Sequence, residues 1–408
     1  MIIVVGGRVS GATLAGLLAS QGENVLIVEK RPVISPTISI ALICPDALAI
    51  FDRIGFGAVL DQAHFPKITH LSFEVLPGVR VSGRLPASHG RDWAYAMRRE
   101  KLDHLLFEHL RRTFRNIEVR DTFAVTQLVL RNDSVVGVQG HVSNGGEEAI
   151  YGDLVVGADG KSSIVARLVR ASQYDSRDVR TSFYYSYFKG VEPAYSEPSL
   201  VTYQGAIPFP VEVFSSDADD GLTGIGVQAP QHAFRAFRHD PGGMIAQCVN
   251  GIAVLSDRMR HAVRVTRVMG MLIPAMYKRI PFGPGWALVG DASIYFNPIT
   301  GQGLGFACKG SVWLSDAIRS WRMGIPFDQA MHNYQVTRDH FSFHNYDRAA
   351  SVSNIGESLE PWRKHWYKWM SEQPAYVEEW LAMLSNALPP EVFFSADRTS
   401  AAKMRFGV

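Results

Sequence analysis

Glycines and an acidic residue near the start of the sequence have the types and spacing of a site for a nucleotide diphosphate. Gly6 and Gly11 bracket a turn between a β-branched stretch, Ile2–Val5, and a stretch rich in alanine and leucine. Backbone N–H groups at the start of a helix attract phosphate, and glycine lets the phosphate approach them closely. Glu29 follows the next β-branched stretch, near the offset at which an acid accepts hydrogen bonds from an adenosine ribose. These residues predict a strand–turn–helix–strand unit that binds an adenine nucleotide.

The glycine fingerprint departs from G-x-G-x-x-G at one position. It reads Gly-Gly-Arg-Val-Ser-Gly over residues 6–11, so Arg8 stands where a glycine normally lets backbone reach a pyrophosphate. A guanidinium can itself pair with phosphate, which keeps nucleotide binding as the favoured interpretation. The alternative is an ordinary strand–helix unit in which the glycines only form a turn.

A second motif, GADGKSSIVAR at residues 157–167, directly follows an apolar stretch. Its Asp159–Gly160 pair is typical of a turn. The Asp159 carboxylate could bind a ligand there, or it could merely cap the helix that follows.

A third motif lies at residues 286–305, WALVGDASIYFNPITGQGLG. Asp291 follows an apolar strand, where its carboxylate can accept hydrogen bonds from sugar hydroxyls. Gly301 and Gly303 then open a helix and expose N–H groups to an electron-rich ring edge. Asp291 alone could be a helix cap, but the whole motif favours a cofactor site.

Composition limits the remaining classes of function. A chain of 408 residues suggests two domains, and 47% apolar with 20% charged residues is ordinary for a globular protein. A net charge of +2 without a basic stripe gives no reason to expect nucleic acid. The three cysteines are far apart and fit neither a disulfide framework nor a metal site, so we expect no metal. The sequence begins with a core strand and has no membrane-spanning apolar run, so we expect a cytoplasmic protein without a transmembrane segment.

The order of the patterns predicts an α/β fold with a discontinuous Rossmann-type nucleotide domain. We assign residues 1–75, 95–175 and 265–345 to this domain. Residues 76–94 and 176–264, aromatic-rich with alternating polarity, form an interleaved antiparallel-sheet domain for the substrate. Residues 346–408 form a helical C-terminal region.

With the three motifs in this order, the chain resembles the FAD-dependent monooxygenases of the aromatic-hydroxylase type, the group A family of para-hydroxybenzoate hydroxylase. The resemblance covers roughly residues 1–345. Arg8 departs from the family pattern, as do Ile294, where histidine is frequent, and Arg167, one place later than usual. These departures indicate a divergent branch of the kind found in secondary metabolism.

The resemblance implies a bound FAD. It places Gly6, Gly11 and Glu29 at the adenosine diphosphate, Arg99 near the phosphates, and the backbone of Val125 at the adenine. The full set of cofactor-binding residues that we predict is Gly6, Arg8, Val9, Ser10, Gly11, Glu29, Lys30, Arg31, Arg99, Val125, Asp159, Gly290, Asp291, Pro298, Gly301, Gln302 and Gly303.

The family places Asp159 near both FAD and the nicotinamide, Asp291 at the ribityl chain, and Pro298, Gly301 and Gly303 beneath the flavin ring. The sequence has only one dinucleotide fingerprint, which is assigned to FAD, so NAD(P)H would bind only transiently while it reduces FAD. O₂ would then form a flavin C4a-hydroperoxide that hydroxylates or epoxidises an electron-rich small molecule, aromatic or of polyketide type.

Aromatic residues of the predicted sheet domain are candidates for the substrate wall, namely Tyr185, Tyr187, Tyr203 and Phe214. Sheet packing is the alternative for each of them. Trp362, Trp366 and Trp369 share one helix face, which could line a substrate tunnel, form a dimer contact, or pack on the core. No catalytic acid or base can be named from the sequence, and the oligomeric state is left open, with a homodimer as one alternative.

Other functions of the same fold remain as alternatives. An FAD-dependent reductase or dehydrogenase would act without oxygen insertion, and fold does not decide between these chemistries. A non-enzymatic nucleotide-binding protein would hold FAD without accepting electrons from NAD(P)H. A halogenase is disfavoured, since the sequence has no Trp-x-Trp-x-Ile run.

Overall fold

A computed structural model describes residues 1–32, 39–142, 145–179, 181–353, 355–356 and 360–407. The strands are β1 Ile2–Val5, β2 Val25–Glu29, β3 Ile40–Ile43, β4 Lys67–Ile68, β5 His70–Leu76, β6 Val79–Arg84, β7 Ala94–Arg98, β8 Ile117–Asp121, β9 Phe123–Arg131, β10 Ser134–Val142, β11 Glu147–Tyr151, β12 Leu154–Gly157, β13 Gln173–Arg177, β14 Thr181–Lys189, β15 Ser199–Gly205, β16 Val211–Asp217, β17 Thr223–Pro230, β18 Val263–Arg264, β19 Met269–Leu272, β20 Met276–Arg279, β21 Phe282–Gly283, β22 Trp286–Leu288 and β23 Ile294–Tyr295. The helices are α1 Val9–Ser20, α2 Pro45–Asp52, α3 Phe56–Gln62, α4 Arg99–Thr113, α5 Ile164–Leu168, α6 Phe234–His239, α7 Pro241–Asn250, α8 Ala253–Arg258, α9 Gly303–Arg322, α10 Phe327–Val352, α11 Pro361–Ser371, α12 Pro374–Leu384, α13 Pro390–Phe393 and α14 Ala396–Phe406.

A six-stranded sheet in the order β21-β22-β12-β1-β2-β8 forms the centre of the nucleotide domain. All pairs in it are parallel except the β21–β22 pair at one edge. The central strand β1 is buried on both faces: Ile2 and Val4 pack with helices α1, α4 and α9, whereas Ile3 packs with the sheet of β9, β10 and β11. Burial on both faces explains why the strand is a continuous β-branched run.

The three motifs meet because parallel strands bring their carboxyl ends to one edge of a sheet. The fingerprint follows β1, Glu29 ends β2, Asp159 follows β12, and Asp291 follows β22. Strand order reverses on either side of β1, and such a reversal opens a ligand-binding crevice at the carboxyl edge.

The second layer is an eight-stranded sheet in the order β18-β14-β17-β16-β15-β5-β6, with β19 also paired to β14. Its strand β14 alternates as predicted, with Tyr184 and Phe188 in one core cluster and Phe183, Tyr185 and Tyr187 in another. The first segment of the chain that belongs to this sheet begins before the predicted residue 76, because β5 pairs in parallel with β15. The second segment extends beyond residue 264 and includes β19. The partner of a short strand cannot be read from its own pattern, so these two predicted boundaries are displaced.

Helices form the C-terminal region and pack over strands β5 and β6. Trp366 and Met370 of α11 and Trp380 of α12 pack in one core cluster with Leu71 and Val81 of those strands. The predicted fold class, an α/β Rossmann-type domain with an interleaved sheet and a helical C-terminal region, is confirmed. Among the helices that the structure describes, none has the length and apolar composition needed to cross a membrane.

Candidate functional site

One continuous cavity of about 1670 Å³ joins the three sequence motifs to the eight-stranded sheet and the C-terminal helices. It begins at the carboxyl edge of the parallel sheet and extends past the loop before α9. Its length and mixed lining suit a dinucleotide together with a second, smaller molecule.

The fingerprint turn is held in shape by glycine and by Glu29. Gly6 has φ +106°, and a side chain at Gly11 would place its Cβ 1.9 Å from the carbonyl oxygen of Gly6. The N–H of Gly7 donates to Glu29 Oε2 at 2.9 Å, and that of Arg31 donates to Oε1 at 3.2 Å. The carboxylate therefore closes the turn as well as lining the cavity.

Positive charge gathers where the fingerprint predicts a pyrophosphate. Arg8, Arg31 and Arg99 all line the cavity, and Arg99 Nε donates to Asp103 Oδ1 at 3.0 Å. Burial lowers the pKa of Arg8, which Asp103 raises and Arg99 lowers. A cluster of guanidinium groups, with that of Arg8 partly desolvated, is a favourable place for a diphosphate.

Asp159 has the capping role that the sequence left open, and its second oxygen is available to a ligand. Its Oδ2 accepts from the N–H of Ile164 at 2.6 Å and so caps α5. Its Oδ1 is buried and has no hydrogen-bond partner among the described residues. Burial raises the pKa of Asp159 despite the hydrogen bonds from Ser163 and Ile164.

Asp291 lines the cavity at the tip of β22, and Tyr277 donates its hydroxyl hydrogen to the backbone oxygen of Asp291 at 2.7 Å. Burial raises the pKa of the Asp291 carboxyl to about 6, while Lys161 and Arg99 lower it. Such a carboxylate is desolvated and gains from hydroxyl donors in a ligand.

The loop before α9 also lines the cavity and is tied by hydrogen bonds to two other parts of the chain. Asn297 Oδ1 accepts from Gln228 Nε2 of β17 at 2.8 Å, and Gln302 Nε2 donates to Asn386 Oδ1 beyond α12 at 2.9 Å. Gly301 has φ +67°, and a Cβ there would meet no atom within 4 Å. Hydrogen bonds therefore hold both ends of the loop, while no other part of the described chain packs against Gly301.

The residues present fit FAD. Buried polar atoms without a partner in the described part of the chain lie along the cavity, at Ser10 Oγ, Asp159 Oδ1, Thr300 Oγ1 and Gln302 Oε1. A polyhydroxylated nucleotide with a heterocyclic ring can satisfy donors and acceptors of this kind, which are otherwise costly to bury.

The structure brings most of the predicted cofactor residues to this cavity. The members that line it are Gly6, Arg8, Val9, Ser10, Glu29, Lys30, Arg31, Arg99, Val125, Asp159, Asp291, Pro298, Gly301, Gln302 and Gly303. Gly11 and Gly290 are buried behind its surface, where Gly11 supports the turn from within helix α1.

Of the predicted substrate wall, Phe214 lines the cavity. Its ring stacks on Phe183 with centroids 5.8 Å apart and occupies the space that a Cβ at Gly226 would fill. Tyr203 instead lies on the opposite face of the sheet, where its hydroxyl accepts from Arg258 Nη1 at 2.6 Å. The alternation along β15 puts Thr202 and Gln204, not Tyr203, on the cavity side.

Tyr185 and Tyr187 share a face with Phe183 but pack in the core cluster beside the cavity. Trp362 and Trp366 of the C-terminal stripe line the cavity, whereas Trp369 packs against Tyr376 with centroids 4.9 Å apart.

Sequence reasoning missed several cavity residues. Lys161 could have been found, since it lies inside the second motif. Glu212 and Arg348 have no motif around them and reach the cavity only through the fold.

Replacing Glu29 tests the adenosine end of the site. Glu29→Ala removes a carboxylate that would accept from ribose hydroxyls, so we expect FAD affinity to fall about 10–100-fold, the range for hydrogen bonds to a charged group. The ability of AMP to compete with FAD for this site should weaken by a similar factor in Glu29→Ala. Glu118→Ala, an exposed acid on β8, is the control. Unchanged FAD affinity in the Glu29 variant would remove this residue from the site.

Comparison with known proteins agrees with the geometry. The sequence profile of the family described as FAD binding domain matches residues 1–198. The FAD-dependent monooxygenase asqG of Emericella nidulans is 25% identical over 365 residues, covering 78% of this chain and 59% of asqG. The tryptophan 2-halogenase of Chondromyces crocatus is 22% identical, covering 96% of this chain and 74% of the halogenase.

Among solved structures, the flavin-dependent brominase Bmp2 superimposes with a TM-score of 0.82 at 18% identity, covering 98% of this chain and 99% of that chain. At this identity the likeness extends to the fold alone. The chain spans less than two thirds of asqG and about a third of the monooxygenase ausM from the same fungus. Residues 1–198 of the chain are thus similar to the family described as FAD binding domain.

Proposed function

We propose that the chain is an FAD-dependent monooxygenase that uses NAD(P)H and O₂ to hydroxylate or epoxidise an electron-rich small molecule. The observation that carries this proposal is the single cavity that leads from the motifs to an aromatic wall. The similarity to asqG, an FAD-dependent monooxygenase, supports oxygenation as the reaction.

FAD, when bound, would supply electron transfer from NAD(P)H and the delivery of one oxygen atom from O₂. The chain's own residues bind and orient the reactants. Phe183 and Phe214 offer a flat apolar surface, Gln228 holds the loop at Asn297, and residues of the C-terminal helices line the far end of the cavity.

Anaerobic reduction followed by oxygen tests the proposal. The purified protein should show oxidised-flavin absorption, bleach on addition of NADH or NADPH, and recover its colour in air. A panel of phenols and naphthols should then increase O₂ uptake and yield products heavier by one oxygen atom.

The other outcomes separate the alternatives. Turnover of a substrate without O₂ uptake would indicate a reductase or dehydrogenase, and brominated product in the presence of bromide would indicate a halogenase. A flavin that neither nicotinamide reduces would contradict the enzyme proposal altogether.

A further inference from the structure

The side chain of Gln302, at the start of α9, is buried and has an acceptor atom without a donor. The residue is 3% exposed, and its Nε2 donates to Asn386 Oδ1 at 2.9 Å. Its Oε1 has no hydrogen-bond partner among the described residues. Gln302 also lines the cavity, between the two glycines of the loop that the resemblance places beneath a flavin ring. A buried carbonyl oxygen without a donor is costly, so this atom favours a ligand that carries an N–H or O–H group.

The groups behind Gln302 set the direction of the Asn386 amide. Asp46, buried in the first turn of α2, pairs with Lys309 Nζ through its Oδ2 at 2.8 Å. Asn386 Nδ2 and Asp46 Oδ2 approach one point beside α9, since they lie 3.5 and 3.6 Å from the Cβ that a side chain at Gly305 would have. A carboxylate only accepts hydrogen bonds, so the Asn386 amide directs its nitrogen toward Asp46 and its oxygen toward Gln302.

This arrangement also determines the direction of the Gln302 amide. Because the oxygen of Asn386 accepts from Nε2, Oε1 points away from Asn386. A half-turn of the Gln302 amide would place Oε1 against Asn386 Oδ1, two acceptors with no hydrogen between them. Asp46, Asn386 and Gln302 therefore form a polar series that ends in an acceptor at the cavity.

The backbone of Asn386 does not explain why its side chain is an amide. Asn386 has φ +62° and follows the last turn of α12. Its N–H donates to the carbonyl of Met383 at 3.2 Å, and that of Ala387 donates to the carbonyl of Ala382 at 2.8 Å. The residue at this place after a helix is usually glycine and sometimes asparagine. Glycine would satisfy the backbone equally well, so the amide is left with its contact to Gln302 as its role.

We propose that Asn386 is a positioning residue, which orients the Gln302 amide so that Oε1 accepts a hydrogen bond from the imide N–H of a flavin ring. The oxidised ring of FAD carries a single N–H group, at N3, so it offers one ring donor to such an acceptor. The inference rests on the proposed function only in taking FAD as the cofactor. It gives the C-terminal region a part in cofactor binding that none of the three motifs contains.

Competition between FAD and 3-methyl-FAD tests the inference, because the methyl group replaces the imide hydrogen. The flavin-free protein is mixed with an excess of both flavins in equal amounts, and the bound flavins are separated by chromatography after denaturation. We expect the wild type to prefer FAD by a factor of about 5–150, the range for a buried acceptor that loses its donor.

Two variants separate the hydrogen bond from crowding by the methyl group. Gln302→Met nearly preserves the side-chain volume and removes the acceptor, whereas Asn386→Gly keeps the backbone after α12 and lets the Gln302 amide rotate. In both variants we expect the preference for FAD to fall at least about threefold. Asn132→Gly replaces an exposed asparagine with φ +48° between β9 and β10, and as the matched control it should keep the preference.

The ratio of the two flavins distinguishes positioning from a purely structural role. If Asn386 only stabilised the loop, Asn386→Gly would bind both flavins more weakly by the same factor, and an unchanged preference would overturn the inference. Equal binding of the two flavins by the wild type would also overturn it, as would an unchanged preference in Gln302→Met or a lost preference in Asn132→Gly.

The same protein preparations separate this inference from the proposed function. Any of these contrary results, in a protein whose bound FAD is still reduced by NAD(P)H and reoxidised by O₂, would contradict the role of Asn386 and Gln302 alone. The expected preference in a protein whose FAD neither nicotinamide reduces would contradict the proposed function alone.

Discussion

Gly11→Ala is expected to give a folded protein that no longer retains FAD through purification. Its new Cβ would lie 1.9 Å from the carbonyl oxygen of Gly6 and 3.1 Å from Cβ of Ala158, so the fingerprint turn must move. The nearest obstacle is backbone and cannot rotate away. Overpacking of this kind costs about 1–3 kcal/mol, which corresponds to an FAD affinity about 5–150-fold lower if the displaced turn is the cofactor site.

Gly16→Ala in the same helix is the matched control for this variant. A Cβ there would meet the side-chain carbons of Leu110 and Ile54 at 3.0–3.2 Å, and side-chain ends can shift. Gly16 is also remote from the cavity, so any loss of stability should leave FAD affinity intact. Flavin absorbance per protein after gel filtration and the unfolding temperature of the flavin-free forms separate the two effects. Full flavin content in Gly11→Ala would contradict the placement of the phosphates at this turn.

The part of the cavity that carries the three motifs could be predicted from the sequence because backbone geometry defines it. A turn with glycine at positions 6 and 11, an acid at the end of β2 and an aspartate at the tip of β22 leave local patterns wherever they occur. Their meeting follows from a general rule, since the carboxyl ends of parallel strands lie at one edge of a sheet. Even Arg8, which breaks the fingerprint, lines the cavity.

The substrate half could not be predicted in the same way. Tyr203 and Phe214 have similar sequence surroundings, yet the register of β15 against β16 directs one into the core and the other into the cavity. Arg348 lies on a long helix without strong amphipathic patterning, so nothing local distinguishes it from a surface arginine. The side chains that line this part of the cavity come from distant segments, and these are brought together only by tertiary packing.

Replacement of Asp291 is expected to separate cofactor binding from stability. Asp291→Asn should lower FAD affinity about 10–100-fold, because an amide gives up the charge-assisted hydrogen bonds that the carboxylate would accept from the ribityl hydroxyls. The flavin-free variant should nevertheless unfold at a higher temperature than the flavin-free wild type at pH 8. Asp316→Asn, an exposed position on α9, is the control and should change neither quantity.

The rise in stability follows from the sign of the pKa shift. Burial raises the pKa of Asp291 from 3.8 to about 6, so the folded state holds the proton more tightly than the unfolded state. Stability is therefore lost as the pH rises through this range, by about 1–3 kcal/mol in total. The asparagine variant avoids that loss, so its advantage should disappear when both proteins are unfolded near pH 4. A variant that keeps its flavin would contradict the ribityl contact, and a lower unfolding temperature at pH 8 would contradict the desolvated carboxylate. Together, the FAD affinity and the unfolding temperature show whether Asp291 favours cofactor binding while it lowers the stability of the flavin-free protein.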